Sequence, residues 1–524
     1  MKNLLKYFGL SVLTFTLLYL KFNPSYHTDD DNQWIWFLEG IGPHHGSATP
    51  YFIFQNFILA HLYQSIPDFF DIFGFNWMHI FSQILFFSTG IYYINKMNKV
   101  NFFVAYLIVL SLSLYNFFIP QFSITPSLLF FSGLVFLSNS NHNKILYLIT
   151  FLIFLWSSMV RIEAFVFTTL LALPSLLDQF KNRTKSIFII TSFIICISLS
   201  FLNNSVQKKQ IENKNVFNGI GAAMGKLLDY GGVQFLEDHP EQLKGSGLSL
   251  NDLKIFGNWI FLDSDINKKI INIEFISKVK ISFMNRVEKG LKSIAFLFHH
   301  YLIILFLLCL LVTIMSFSRT AYLSLFIFLS GIFGTGFLGR EPYIRILIGP
   351  LIFLTILNIK YIKFSSRNLI LLSIAFMFFL IVRIKPFAHI SIYKERLATS
   401  QLEWIFEIQK NNNLDIYWWT TTSEIGINFY RMKNLNRIRD FKFERTHYMY
   451  GNKHDPFGEQ WRSKFKNDFL SKGIFIPVEN IDRFSEKIPI LETYCIEHFS
   501  GVLEKEFISH PDKIIGLSKV KCNV

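Results

Sequence analysis

The sequence predicts a mainly α, polytopic membrane protein with about eleven transmembrane helices and a small soluble α/β domain at the C-terminal end. Three observations predict it. Of 524 residues, 51% are hydrophobic, 17% aromatic and only 17% charged, too little charge to cover a soluble fold of this size. Apolar stretches long enough to cross a hydrocarbon core of roughly 30 Å as helix recur from the N-terminus to about Ile384. The Lys and Arg residues between those stretches sort by side. The formal charge of +14 is therefore read as membrane topology, and no nucleic-acid partner is expected.

The first stretch, Leu4 to Leu20, follows Lys2 and Lys6 and resembles a signal peptide in length. Lys21-Phe22-Asn23-Pro24 is a poor cleavage site, so the stretch is read as a retained span. A polar segment from Asn23 to Thr49 follows, then the amphipathic Tyr51 to Ile66, which reads as interfacial. Further spans are expected at 77–95, 101–118, 124–138, 145–160, 164–178 and 186–203. A polar section, 204–292, separates them from spans at 294–315, 320–338, 344–359 and 369–384. The membrane domain thus covers 1–384, with a first external loop at 21–76 and a large one at 204–292, and the soluble domain covers 385–524.

With a cytoplasmic N-terminus, the short inside loops hold Lys2, Lys6, Lys96, Lys99, Lys144, Lys181, Arg183, Lys185, Arg319, Lys360, Lys363 and Arg367, twelve cations. The short outside segments hold four, Lys21, Arg161, Arg340 and Arg345. That bias places both large loops and the tail on the outer face. Within the tail, 415–420, 473–478 and 514–517 read as short buried strands, with helical runs near 397–410 and 456–471. Cys196 and Cys309 fall in apolar spans, whereas Cys495 and Cys522 are available for a disulfide if the tail is outside. There is no internal repeat, Gly-rich phosphate loop or zinc-finger spacing.

Chemistry concentrates on the outer face. His27-Thr28-Asp29-Asp30-Asp31-Asn32-Gln33-Trp34 begins a few residues after the first span. Asp29, Asp30 and Asp31 suit a general base tuned by like-charge neighbours, or a divalent-metal site; a solvated turn capping a helix is the structural alternative. Arg161 with Glu163 interrupts one apolar run, and Gly339-Arg340-Glu341-Pro342-Tyr343-Ile344-Arg345 interrupts another. Arg residues at this depth are paired with a carboxylate or bound to an anion, and the guanidinium fork matches a lipid phosphate. A carboxylate cluster and phosphate-binding cations on one face are what sugar transfer from a polyprenyl-phosphate donor requires: one deprotonates the acceptor hydroxyl, the others neutralise the departing phosphate.

This arrangement resembles the GT-C glycosyltransferase superfamily, whose members have a many-helix membrane domain, a catalytic Asp in the first external loop, interfacial helices after it and often an external C-terminal domain. The sequence is also similar to a group of bacterial membrane proteins associated with cell-surface polysaccharide. The similarity runs through Asp30-Asp31-x-x-Trp34, Leu38-Glu39-Gly40, Asn56-Phe57-Ile58-Leu59 to Leu62-Tyr63, Phe217-Asn218, Asp229-Tyr230, Asn251-Asp252-Leu253 and Asn258 to Asp263. Gly221 stands where that group usually has an Arg.

The resemblance implies Asp30 as base, with Asp31 its neighbour and Asp29 an alternative register, and Arg161, Arg340 and Arg345 as holders of the lipid phosphate. Trp34, Glu39, His61, Asp229, Tyr230 and Trp259 are candidate sugar or acceptor contacts; Trp36, His44, His45, His299 and His300 lie in related segments. A metal is optional, Mg or Mn on Asp30 and Asp31 if any. The implied activity is a membrane glycosyltransferase of the bacterial inner membrane, using a polyprenyl-phosphate sugar donor and a glycan, lipid or protein acceptor among membrane lipids. The alternatives are a lipid-linked oligosaccharide flippase, a polysaccharide polymerase or a non-catalytic envelope assembly protein. A carrier calls for charges at mid-membrane depth, and here they cluster at the ends of spans.

Overall fold

The computed structural model describes residues 2–22, 24, 34–35, 38, 50–51, 56–67, 72, 74–98, 100–118, 120–140, 143–177, 179–210, 219–220, 223–229, 232–257, 262–272, 283–300, 302–340, 344–362, 368, 370–382, 404–405, 407–412, 414–418, 446–448, 459–478, 487–509 and 516–524. Contacts divide the chain into two compact units. The first comprises 1–27, 54–206 and 284–393, and the second 28–53, 207–283 and 394–524. This division cuts across the one drawn along the sequence, because 207–283 groups with the tail.

The first unit is helical: α1 (Lys2–Lys21), α2 (Phe57–Ser65), α3 (Gly74–Asn98), α4 (Phe102–Phe118), α5 (Thr125–Ser138), α6 (Lys144–Val160), α7 (Ile162–Leu176) and α8 (Arg183–Gln210). After the large loop it resumes with α12 (Phe283–Ala295), α13 (Ile303–Ser316), α14 (Arg319–Phe337), α15 (Ile344–Ile359) and α16 (Ile370–Val382). Leu4–Lys21, Arg183–Gln207 and Arg319–Phe337 are each long and apolar enough to cross a membrane alone; Phe283–Phe298 with Ile303–Ser316 makes a fourth if that bent pair is one span. The shorter apolar helices have 10–17 residues, at most about 26 Å of rise, and the 25-residue α3 is long enough but carries Asn76, His79 and Gln83, so the expected count of about eleven is not established by length and composition alone.

Polar punctuation shortens them. Asn143 caps α6 by accepting from the Ile145 and Leu146 amides, and Arg161, in an extended conformation, separates α6 from α7. Phe130 is an aromatic hub, its ring 4.9 Å from Phe154, 5.5 Å from Phe165 and 5.9 Å from Phe353. Close approach needs glycine: a Cβ on Gly74 would lie 2.0 Å from the Tyr63 carbonyl oxygen, so α2 folds directly onto the start of α3. Leu13, Leu148, Ile194 and Phe326 point outward and exposed on four of these helices. Water would penalise such faces and lipid does not, so the chain is a helical membrane protein.

The second unit contains α9 (Gly232–Asp238), α10 (Leu250–Gly257) and α11 (Ser264–Asn272) from the large loop. The tail supplies β1 (Ile416–Trp418), β2 (Thr446–Tyr448), α17 (Glu459–Ser471), β3 (Ile474–Val478), α18 (Lys487–Phe499), β4 (Val502–Ser509) and β5 (Gly516–Asn523). The strands form one sheet ordered β2-β1-β3-β5-β4. The β1 pairs are parallel; β3 and β4 run antiparallel to β5, with Ile474 opposite Val520 and Val502 opposite Asn523. A single hydrophobic core joins loop residues such as Leu227, Leu253 and Phe256 to Tyr417, Phe469 and Val520 of the tail. Cys495 and Cys522 are disulfide-bonded within it, while Cys196 and Cys309 are buried thiols. Burial and a 2.8 Å hydrogen bond to Asp468 push the Tyr417 phenol well above its ordinary pKa.

Candidate functional site

Contacts within the helical unit sort the helix ends into two groups. At one end the Tyr7 hydroxyl donates to Asn95, Tyr92 to Asn139 and Tyr93 to the Leu357 carbonyl, and Ser175 meets Tyr361. At the other, Phe22 packs on Phe118, the Phe57 amide donates to Asn203, and Arg161 reaches Ser123. Arg345 lies in the first turn of α15, whose far end carries Leu357, so it belongs with Arg161. Arg340 follows α14, which runs against α7 with Gly331 beside Phe167, and stands at that same end. The structure therefore gathers all three candidate phosphate-binding cations at one end of the unit.

Arg161 is held on three sides. Its Nη1 donates to Ser123 Oγ at 2.6 Å, its Nε lies 3.7 Å from Glu163, and its guanidinium sits 5.1 Å from the Phe122 ring centroid. The ion pair with Glu163 is the structural alternative raised from the sequence, and it is present. Glu163 is mostly in solvent, however, whereas the Arg161 side chain is 18% exposed. Arg340 is exposed just after Gly339, whose positive φ of 96° ends the helix, and Arg345 is half-buried.

A second set of polar residues occupies this end, one the sequence reading missed. Asn76, His79 and Gln83 project from α3, Asn116 from α4, and Gln121, Ser123 and Thr125 lie at the start of α5, all buried. His79 Nδ1 meets Thr125 Oγ1 at 3.2 Å, and Gln83 Nε2 donates to the Asn116 carbonyl at 2.9 Å. The Oε1 of Gln83 and both side-chain polar atoms of Asn116 find no hydrogen-bond partner among the described residues. Such groups cost about 1–3 kcal/mol each when left so in an apolar interior, and they mark a place suited to hydrogen-bonding a polar guest. The available signal was the spacing of Asn76, His79 and Gln83 along an otherwise apolar helix.

The remaining candidates are scattered. His61 is exposed on α2, its ring 6.4 Å from Phe57, and the His299 and His300 rings are 4.1 Å apart after α12. In the second unit Trp34 is 3% exposed, so its ring packs in the interior. The backbone of Asp229 closes a π turn over Gly225–Asp229. Asp29, Asp30, Asp31, Trp36, Glu39, His44, His45, Tyr230 and Trp259 lie outside the described residues.

Among the described residues, Asp252, Glu497 and His498 bring ligand atoms within 4.8 Å of one another. Their hydrogen bonds favour a structural role. Ser249 and Asp252 form a reciprocal capping box at 2.9 and 3.0 Å, Ser249 Oγ donates to Glu497 at 2.7 Å, and His498 Nε2 lies 2.8 Å from Asp252 Oδ1. The hydrogen bond to Asp252 raises the His498 pKa above its ordinary 6.5, against the opposing effect of burial. A raised folded-state value makes the contribution complete below about pH 6.5 and lost as pH climbs through the folded pKa. Thermal unfolding should therefore show stability falling over the first units above pH 6.5, with a flatter profile in His498→Gln; identical profiles would remove the ion pair from the stability of this unit.

No protein-family model matches the chain, and no curated protein matches it. Among solved structures, it is similar to the crystal structure of ArnT from Cupriavidus metallidurans in the apo state. The two are 10% identical, with 98% of this chain and 97% of that one covered and a TM-score of 0.40. At that level of superposition, the likeness carries no argument about activity.

Proposed function

We propose that the chain is a membrane glycosyltransferase of the bacterial inner membrane. It takes a sugar from a polyprenyl-phosphate donor and attaches it to a cell-surface glycan, lipid or protein on the extracytoplasmic face. The observation that carries this reading is the gathering of Arg161, Arg340 and Arg345 at one end of the helical unit, beside buried carboxamides with unused hydrogen-bonding capacity. A lipid phosphate needs the first and a sugar hydroxyl the second. Among the described residues, the charges of the apolar helices stand at their ends, which suits surface chemistry better than a carrier path.

In this reading Asp30 takes the proton of the acceptor hydroxyl, and the hydroxyl oxygen attacks the anomeric carbon as the bond to the lipid phosphate breaks. The electron pair of that bond leaves with the phosphate, whose added negative charge the three Arg residues stabilise, and the sugar is inverted. Asp31 tunes Asp30 by like-charge repulsion, with Asp29 the alternative base, and Trp34, Glu39, His61, Asp229, Tyr230 and Trp259 are the candidate contacts for sugar or acceptor. The residues for an optional Mg or Mn, Asp30 and Asp31, lie outside the described set, and no step passes through a metal. The Cys495–Cys522 bridge favours an oxidising compartment for the tail.

The test is mass analysis of surface glycans from cells lacking the chain, complemented with wild type or with Asp30→Asn plus Asp31→Asn. One sugar should be missing, and the double variant should fail to restore it, because a general base is worth roughly 10²–10⁴-fold in rate. Restoration by the variant ends the base assignment. Unchanged glycans end the transferase reading, and loss of all polymer moves it to a polymerase or flippase.

A further inference from the structure

The helical segment Phe283–Phe298, α12 with the 3-10 turn that continues it, is bent by 92° from α13 across the short break between Phe298 and Ile303. Asn358 Nδ2 donates to Thr313 Oγ1, which places the last turn of α13 at the Leu357 end of the unit and its beginning, with α12, at the Arg161 end. A helix perpendicular to an apolar helix of the bundle, at the bundle's end, lies along the membrane plane. It crosses α14 where both carry small residues: a Cβ on Gly336 would fall 2.6 Å from the Lys289 carbonyl oxygen and 2.1 Å from Ser293 Oγ. A Cβ on Gly290 would fall 2.6 Å from the Phe333 ring. That crossing fixes how α12 is turned about its own axis.

So turned, α12 shows two further faces. Met284, Val287, Leu291 and Ile294 are spaced three, four and three residues apart, one apolar stripe, with Met284 72% and Leu291 57% exposed. Arg286, Lys289 and Lys292 lie on the other arc with Asn285 and Glu288, and Lys292 bridges Glu288 at 2.7 Å. Three cations against one carboxylate leave this arc net positive by two.

We propose that α12 is an in-plane helix seated on acidic phospholipid headgroups. The apolar stripe sinks to the acyl boundary, and Arg286, Lys289 and Lys292 bind lipid phosphates. A protein partner fits less well, because the bend into α13 holds the helix at the end of the bundle and sets its apolar stripe beside its cations, the pairing by which an interfacial helix engages anionic lipid.

Two measurements on the full chain test this. In nanodiscs of mixed phosphatidylglycerol and phosphatidylcholine, native mass spectrometry should find phosphatidylglycerol retained preferentially. The Arg286→Gln, Lys289→Gln, Lys292→Gln variant should lower that preference by roughly 5-fold per cation. Equal retention by the two proteins overturns the proposal. Where the triple variant fails to fold, nitroxides at Met284→Cys and Leu291→Cys, in a chain with Cys196 and Cys309 replaced by Ala, decide it. Accessibility to oxygen but not to a water-soluble nickel chelate supports the seat in lipid; access to the chelate, or to neither reagent, overturns it.

Discussion

Replacing Arg161 with Gln is expected to lower kcat for transfer from a polyprenyl-phosphate sugar by roughly 10²–10³-fold, the loss typical of one preorganised donor to developing charge. The residue's setting makes the effect large. Its guanidinium is held by the Ser123 hydroxyl and the Phe122 ring before any substrate arrives, so little reorganisation remains at the moment of reaction. Arg161→Lys should fall between the two, keeping the charge and losing the fork. If Arg161 only braces the junction of α6 and α7, Gln and Lys would instead lower the melting temperature together and leave kcat per folded molecule unchanged. A transfer assay beside a melting curve separates the outcomes.

Cys495→Ser should cost the second unit about 3–4 kcal/mol, the chain-entropy value for a bridge closing a segment with a separation of 27 residues. Both sulfurs lie in the core, and a Cβ on Gly501 would fall 2.7 Å from Cys522 Sγ, so the site has little room to relax. Dithiothreitol should bring the wild-type melting temperature down to that of Cys495→Ser and leave the variant unmoved. A wild type that, without reductant, melts at the same temperature as Cys495→Ser would show that the bridge does not form.

What could be read from the sequence follows the range of the interactions involved. Most helices of the first unit announce themselves because they are apolar over most of their length, and Arg161 marked a break because a charge interrupts hydrocarbon; the amphipathic α12 falls largely in what reads as the polar section 204–292. Strands β1 and β3 overlap short apolar runs and were legible for that reason, whereas β5 meets the run at 514–517 only at Gly516 and Leu517. Strand β4 was missed. Among the described residues it is an edge strand paired with β5, and Glu504, Lys505 and Glu506 hide the inward residue Leu503. Asn76, His79 and Gln83 share one face of α3 by their spacing, but Asn116, Gln121 and Thr125 join that face only when α4 and α5 pack against α3, and the buried polar set was passed over for that reason. The core shared by the large loop and the tail leaves no local signature either: Asp252 meets His498, and Asn251 donates to the Ile490 carbonyl, across more than 200 residues of chain.

That shared core has a consequence for how the protein is made. The loop segment 207–283 leaves the ribosome long before the strands and helix that complete its core, which end at Asn523. At roughly 5–20 residues per second, the interval is on the order of 10–50 s, during which Leu253 and Phe256 have no mature core to enter. Four apolar helices, α13 to α16, emerge in that interval. Assembly of the second unit is thus a late, post-insertion event, and a ribosome stalled within the last hundred residues leaves an inserted bundle carrying an unfinished, aggregation-prone head.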